Sequence, residues 1–316
     1  MNILITGVAG FIGSSVCKKF LEKGFNVHGL DNFDDYYDVN LKKARIKNLK
    51  KNKNFFFYNL DLSKIKNIKI KKFDLMINLA AQAGVRLPRS MHHKYISSNI
   101  DGFRHFLQFS NKVSCEYLIY ASSSSVYSSL RKTPFEENQK LDVPLSKYAE
   151  SKLDNEKEAN DFAQKNEKKI VGLRFFTVYG PFGRPDMAYF DFTKKILNRE
   201  EIRLFNSGET YRDMTYIDDI VSGVFLASEY LKKEKFKHQI FNLGNGKPIN
   251  TKLLVSCIER EFKINALIKY ITSEKEVKIT FADITKARKK LNYRPETNFD
   301  EGIKRFFNWF KEYYEV

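Results

Sequence analysis

The apolar residues of the N-terminal half fall into short runs separated by stretches of helical period. Asn2 to Thr6 predicts a first strand. From Phe11 to Lys23 the apolar positions Phe11, Ile12, Val16, Phe20 and Leu21 share one side of a helix. Phe25 to Leu30 predicts a second strand, ended by Asp31. Phe55 to Asn59, Leu75 to Leu79, Tyr117 to Ala121 and Ile170 to Phe175 predict further strands. Helices are expected between most of them, notably near Tyr95 to Ser110 and Ser146 to Asn166. Strands that alternate with helices predict an α/β fold with a doubly wound parallel sheet covered on both faces.

After about Gly180 the rhythm changes. Helices near Ala188 to Asn198, Asp218 to Leu231, Thr251 to Phe262 and Phe299 to Tyr313 alternate with short strands such as Ile202 to Phe205. The expected division is 1–180 for the first domain and 181–316 for a smaller α/β region, with some segments returning to the first. No low-complexity linker separates them, so a large shared interface is expected.

The 316 residues, 42% of them hydrophobic and 15% aromatic, are enough for a sizeable core. No stretch of eighteen apolar residues occurs, so no membrane insertion is expected. Met1 to Gly7 reads as a strand entering a turn, without the basic start of a secretory leader. Cys17, Cys115 and Cys257 are far apart and fit no disulfide or zinc spacing, which points to a reducing cytoplasm and no metal. The net charge of +17 invites a nucleic-acid partner. The lysines are scattered, however, with dense spots at 42–53, 64–72 and 286–290 that read as solvated helix faces and loops. No nucleic-acid motif accompanies them, and no nucleic-acid partner is expected. A basic surface still attracts an anionic nucleotide.

The first candidate site is Gly7-Val8-Ala9-Gly10-Phe11-Ile12-Gly13, between the first strand and the first helix. Glycine lets the backbone turn tightly and approach a pyrophosphate. The helix start offers free N–H groups and partial positive charge. Asp31, ending the second strand, can accept from the adenosine ribose hydroxyls and would repel a 2′-phosphate, which favours NAD over NADP. Asn32 follows it directly. Asp61 and Leu62 after the third strand are placed to flank the adenine. Leu79, Ala80, Ala81 and Gln82 after the fourth lie near the middle of such a cofactor.

The second candidate site joins four serines, Ser122 to Ser125, with Tyr148 and Lys152. Tyrosine and lysine four apart share one helix face. An ammonium beside a phenol favours phenolate, so a lowered Tyr148 pKa is expected. That makes Tyr148 a candidate proton acceptor and the serines candidate hydrogen-bonding partners of the alcohol it deprotonates.

With these residues the chain resembles the extended short-chain dehydrogenase/reductases with a Rossmann-type sheet. It is most similar to their nucleotide-sugar epimerases, and within them to the UDP-glucuronate 4-epimerases. The resemblance runs almost end to end. It rests on GVAGFIG at 7–13, LDNFDDYYDVNLKKARI at 30–46, LAAQAGVR at 79–86, SSSSVY at 122–127 and YAESK at 148–152. LRFFTVYGPFGRPDM at 173–187, RDMTYIDDI at 212–220 and FADITKARKKL at 281–291 complete it.

The resemblance implies Tyr148 as base, Lys152 as the residue that tunes it and holds the nicotinamide ribose, and Ser123 as partner of the reacting hydroxyl. It implies Ser124, Ser125 and Thr177 at a sugar carboxylate, and Arg184 and Arg212 at the nucleotide diphosphate. Arg86 is expected on the substrate side, and Asn99 as a hydrogen-bonding support that belongs with the cofactor residues. The implied reaction oxidises C4 to a ketone with tightly bound NAD, lets the sugar rotate, and reduces it from the other face. Resembling dehydratases carry an aspartate and a glutamate where this chain has Ser124 and Ser125, and resembling decarboxylases carry a glutamate at the second position. A homodimer is implied too.

Three positions depart from the pattern: Ser128 where glycine is usual, Lys275-Glu276 where Gly-Asp is usual, and the stretch Ser90 to Lys94. His92 and His93 in that stretch read as loop residues. Two other readings stay open: an epimerase, dehydratase or decarboxylase acting on another nucleotide sugar, and a non-catalytic NAD-binding regulator.

Overall fold

The predicted N-terminal strands assemble into one sheet in the computed structural model of the chain, which describes residues 1–272 and 277–316. In chain order the strands are β1 Asn2–Thr6, β2 Asn26–Asp31, β3 Phe55–Asn59, β4 Leu75–Asn78, β5 Tyr117–Ser123, β6 Lys169–Phe175, β7 Thr177–Tyr179, β8 Glu201–Phe205, β9 Tyr211–Tyr216, β10 His238–Leu243, β11 Pro248–Asn250, β12 Leu267–Ile271 and β13 Ile279–Thr280. The helices are α1 Phe11–Glu22, α2 Val39–Leu49, α3 Gly102–Lys112, α4 Lys147–Asn166, α5 Ala188–Leu197, α6 Ile217–Lys233, α7 Thr251–Phe262, α8 Thr285–Leu291 and α9 Phe299–Tyr314.

The main sheet has the order β10-β6-β5-β4-β1-β2-β3, and every pairing in it is parallel. The strand period of two sends alternate side chains to opposite faces. Ile3 and Ile5 join one apolar cluster with Val16 and Phe20 of α1 and Val224 of α6. Leu4 between them joins the other, with Phe103 and Phe106 of α3 and Ala159 of α4. This is the doubly wound Rossmann-type arrangement. Its strand order reverses between β1 and β4, and that is where open α/β sheets bind ligands.

Residues beyond 180 return to this sheet. β10 extends it beside β6, and α6 packs against α1. The smaller sheet centres on β9, paired with β7, β11 and β13. β8 pairs with β12. An aromatic cluster on α5 and α9 includes Trp309, whose ring lies 5.0 Å from that of Phe182. That contact anchors the loop after β7. Among the described residues, no helix is long and apolar enough to cross a membrane.

Two elements differ from expectation. The helix expected from Tyr95 begins as a π-helical turn over Tyr95–Asp101 before α3. The lysine-dense stretch at 42–53 is not wholly solvated, because α2 buries Lys42 and Arg45. The departure at Lys275-Glu276 lies outside the described residues.

Candidate active site

β1 ends at Thr6 and the chain turns at Gly7 with φ +71°, a left-handed conformation that favours glycine. A Cβ at Gly7 would sit 2.6 Å from the backbone nitrogen of Ala80. A Cβ at Gly13 would sit 2.0 Å from the Gly7 carbonyl oxygen, and one at Gly10 would sit 2.9 Å from it. The three glycines therefore let the turn, the start of α1 and the loop after β4 pack without side chains between them. No side chain caps the N-terminus of α1, so its first N–H groups remain for a ligand.

Asp31 closes β2 beside this turn. Its carboxylate accepts from the backbone N–H of Ala9 and of Phe33, each at 2.9 Å. Burial raises its pKa, while those N–H groups and the charges of Lys42 and Arg45 pull it back. Each carboxylate oxygen has a second lone pair free for a ribose hydroxyl. Asn32 donates to Asp61 at 2.9 Å, tying the ends of β2 and β3 together.

One cavity of ≈ 1310 Å³ runs from this turn across the ends of the strands. All the expected cofactor and substrate residues line it except Asn99. Asn99 lies behind the wall, in the π-helical turn. Its side chain accepts from the Gln82 N–H at 2.7 Å and donates to the Ser151 hydroxyl at 3.0 Å, while its carbonyl accepts from Asn155 at 2.7 Å. It holds the loop after β4 against α4.

The serine run divides by position. Ser122 points into the protein and donates to Glu156 at 2.6 Å. Glu156 forms a buried, two-pronged ion pair with Arg174 at 2.8 and 2.7 Å, and Arg174 donates to the Tyr127 hydroxyl at 2.6 Å. This network fixes the end of β5 against α4. Ser123 lines the cavity together with Tyr148, and its hydroxyl accepts from the Ser125 N–H at 3.2 Å. Ser125 lines the cavity, and its buried hydroxyl has no partner among the described residues. Ser128, at the position where glycine is usual, accepts from the Leu145 N–H at 3.1 Å. It steadies the chain just before Ser146, which caps α4 by accepting from the Ala149 N–H at 3.2 Å.

Tyr148 and Lys152 come together on α4 as expected, with the ammonium 5.7 Å from the ring centre. The electrostatics differ from expectation. Burial raises the Tyr148 pKa, and the influences that lower it are the Arg184 charge and the nearby Ser123 hydroxyl rather than Lys152. Lys152 donates to the Ala121 carbonyl at 3.0 Å. Burial lowers its pKa to about 8, with the Glu156 charge pulling the other way. The missed factor is desolvation, which acts against the charged form of both groups.

On the far side of the cavity, Arg184 is paired through two nitrogens with Asp186, at 3.0 and 2.5 Å. Tyr36 donates to the same carboxylate at 3.1 Å. The Arg212 guanidinium donates to the Tyr211 carbonyl at 2.9 Å, and that of Arg86 lies 5.2 Å from the Phe205 ring centre. Thr177 opens β7 at the cavity wall. Tyr36, Asp186 and Phe205 also line the cavity. Tyr36 and Asp186 lie within the stretches 30–46 and 173–187 that carry the resemblance, but their spacing alone does not single them out. His92 and His93 bond to backbone carbonyls of their own loop.

The residues present fit a dinucleotide: a glycine cradle that any Cβ would fill, an uncapped helix start, and a carboxylate beside both. Comparison with known proteins agrees. Residues 3–244 match the NAD dependent epimerase/dehydratase family. The chain is 40% identical to a UDP-glucuronate 4-epimerase of Thermodesulfobacterium geofontis, over 99% of this chain and 97% of that one. It is 40% identical to UDP-glucuronate 4-epimerase 4 of Arabidopsis thaliana, over 99% of this chain and 76% of that one. The structure of the UDP-glucuronic acid 4-epimerase from Bacillus cereus, in complex with UDP-glucuronic acid and NAD, superposes with a TM-score of 0.88 at 32% identity. That superposition covers 99% of this chain and all of the other. The chain belongs to the NAD dependent epimerase/dehydratase family.

Proposed function

We propose that this protein interconverts UDP-glucuronate and UDP-galacturonate at C4. The observation that carries this reading is Ser125. A buried hydroxyl without a partner costs stability unless something else satisfies it. It lines the cavity two residues from Ser123, where a sugar carboxylate can supply the missing acceptor. Neutral donors at 124 and 125 hold that carboxylate without repelling it. A 4-keto uronate is a β-keto acid that tends to lose carbon dioxide, and a held carboxylate resists that loss. The relatives named as UDP-glucuronate 4-epimerases support the same substrate.

Gly7, Gly10, Gly13, Asp31 and the loop at 79–82 would hold NAD, with Lys152 at the nicotinamide ribose. When bound, the nicotinamide supplies a reversible acceptor for the C4 hydride. Tyr148 takes the proton of the C4 hydroxyl, and Ser123 orients that oxygen. Arg184 favours the phenolate by its charge. Arg184 and Arg212 grip the diphosphate while the sugar turns, and Tyr148 then returns its proton to the C4 oxygen. With a reversible hydride acceptor and a proton that Tyr148 returns, the reaction would carry no net oxidation.

The reading extends to a homodimer, implied by the family resemblance, and to a reducing compartment. Three free, buried cysteines support the second point.

Purified protein incubated without added NAD tests the reading. It should convert UDP-glucuronate to UDP-galacturonate and reach the same mixture from either side. Tyr148→Phe should keep its bound dinucleotide and lose about 10²–10⁴-fold in rate. Absence of interconversion from both sides would sink the proposal.

A further inference from the structure

Arg45 belongs to the lysine-rich stretch that forms α2, yet it is 3% exposed. A guanidinium has five N–H donors, and the oxygens around Arg45 account for all of them. Nε and one terminal nitrogen donate to the Phe182 carbonyl at 3.1 and 2.6 Å, and that nitrogen also reaches the Gly183 carbonyl at 3.1 Å. The other terminal nitrogen donates to the Ala9 carbonyl at 2.8 Å and the Tyr37 hydroxyl at 2.7 Å. None of these acceptors carries a formal charge. A buried cation held on neutral oxygens contributes geometry: a planar fork fixes the spacing of three backbone carbonyls, which a flexible ammonium cannot reproduce.

Those carbonyls belong to the two halves of the site. Ala9 sits in the glycine turn, and its N–H donates to Asp31, so the turn is gripped on either side of that residue. Phe182 and Gly183 lead directly into Arg184. Phe182 stands at φ +57°, a left-handed conformation that a bulky residue adopts only where its surroundings hold it. Arg45 on the carbonyl side and Trp309 on the ring side hold it there. A second tie reaches the Arg184 loop from the segment that leads into α2: Tyr36 donates to the Asp186 carboxylate that pairs with Arg184.

We propose that Arg45 is a positioning residue that locks the glycine turn to the Arg184 loop, so that dinucleotide retention and nucleotide-sugar binding depend on one guanidinium. The proposal rests on the reading above that Arg184 grips the nucleotide diphosphate.

The test is a double-mutant cycle on UDP binding by calorimetry. Dinucleotide released on denaturation is quantified in the same preparations. Arg45→Lys keeps the charge and loses the fork. It should weaken UDP binding about tenfold and lower the bound dinucleotide. In an Arg184→Lys background the same change should cost less than about threefold, because the group it positions has already lost its fork. Equal losses in both backgrounds, or unchanged dinucleotide content, would overturn the proposal. Tyr37→Phe removes one acceptor while leaving Arg45 in place, and it serves if Arg45→Lys does not fold. A smaller loss of both ligands supports the coupling, and no loss of either contradicts it. A wild-type protein that binds no UDP defeats the nucleotide-sugar reading itself and takes this proposal with it.

Discussion

Lys152 on α4 donates to the backbone carbonyl of Ala121 on β5 at 3.0 Å. The bond sets the ammonium beside the strand that carries Ser123, in a place where a charge is poorly solvated. Lys152 is 3% exposed, and burial takes its pKa from 10.5 to about 8. Below pH 8 the lysine is charged in both folded and unfolded chains, and the cost of burying that charge is fully present. Between pH 8 and 10.5 the folded protein releases the proton while the unfolded chain keeps it, so the cost fades as pH rises.

Lys152→Met should therefore be inactive and more stable than wild type. The expected gain is about 2 kcal/mol below pH 8, after allowance for the lost bond to Ala121. Urea unfolding at pH 7 and pH 10 measures it. A gain that grows with pH, or a loss at pH 7, would contradict the burial argument.

Ser125→Ala should weaken UDP-glucuronate binding by about 1 kcal/mol and leave UDP-glucose binding unchanged, because only the uronate offers the carboxylate partner. Ser125→Glu should bring a repelling charge to the same point and release carbon dioxide from UDP-glucuronate. Calorimetry and a carbon dioxide assay read the two outcomes.

Gly13→Ala forces a methyl group into the Gly7 carbonyl, 2.0 Å from the ideal Cβ position. Neither partner can yield without opening the turn. The variant should purify with little or no bound dinucleotide, measured by absorbance after denaturation. Full retention would contradict the cradle described for the three glycines.

Arg174→Met leaves Glu156 as an unpaired buried carboxylate. Loss of one partner of such a pair costs about 3–5 kcal/mol. The unfolding midpoint in urea should fall accordingly. A neutral result would show that Ser122 and the strand end do not depend on this network.

The site was legible where backbone chemistry restricts the residue type. Gly7, Gly10 and Gly13 are needed because no Cβ fits, so their spacing carries the meaning. Ser123, Tyr148 and Lys152 were legible from helix spacing and the serine run together. Burial was not legible. Arg45 and Lys42 sit among lysines that do face water, and no periodicity separates the two kinds. The Tyr148 pKa followed from a neighbour in the sequence argument, whereas desolvation by the whole fold dominates it. Ser122 looked like its neighbours until the strand alternation turned it inward to Glu156. The role of Asn99 depends on a π-helical turn that apolar spacing cannot distinguish from ordinary helix.

The most direct test of the account follows UDP-glucuronate by NMR in heavy water with the purified protein. C4 chemistry with a held carboxylate predicts UDP-galacturonate with no deuterium in the ring and no carbon dioxide. Deuterium at C5, released carbon dioxide, or unchanged substrate would contradict it.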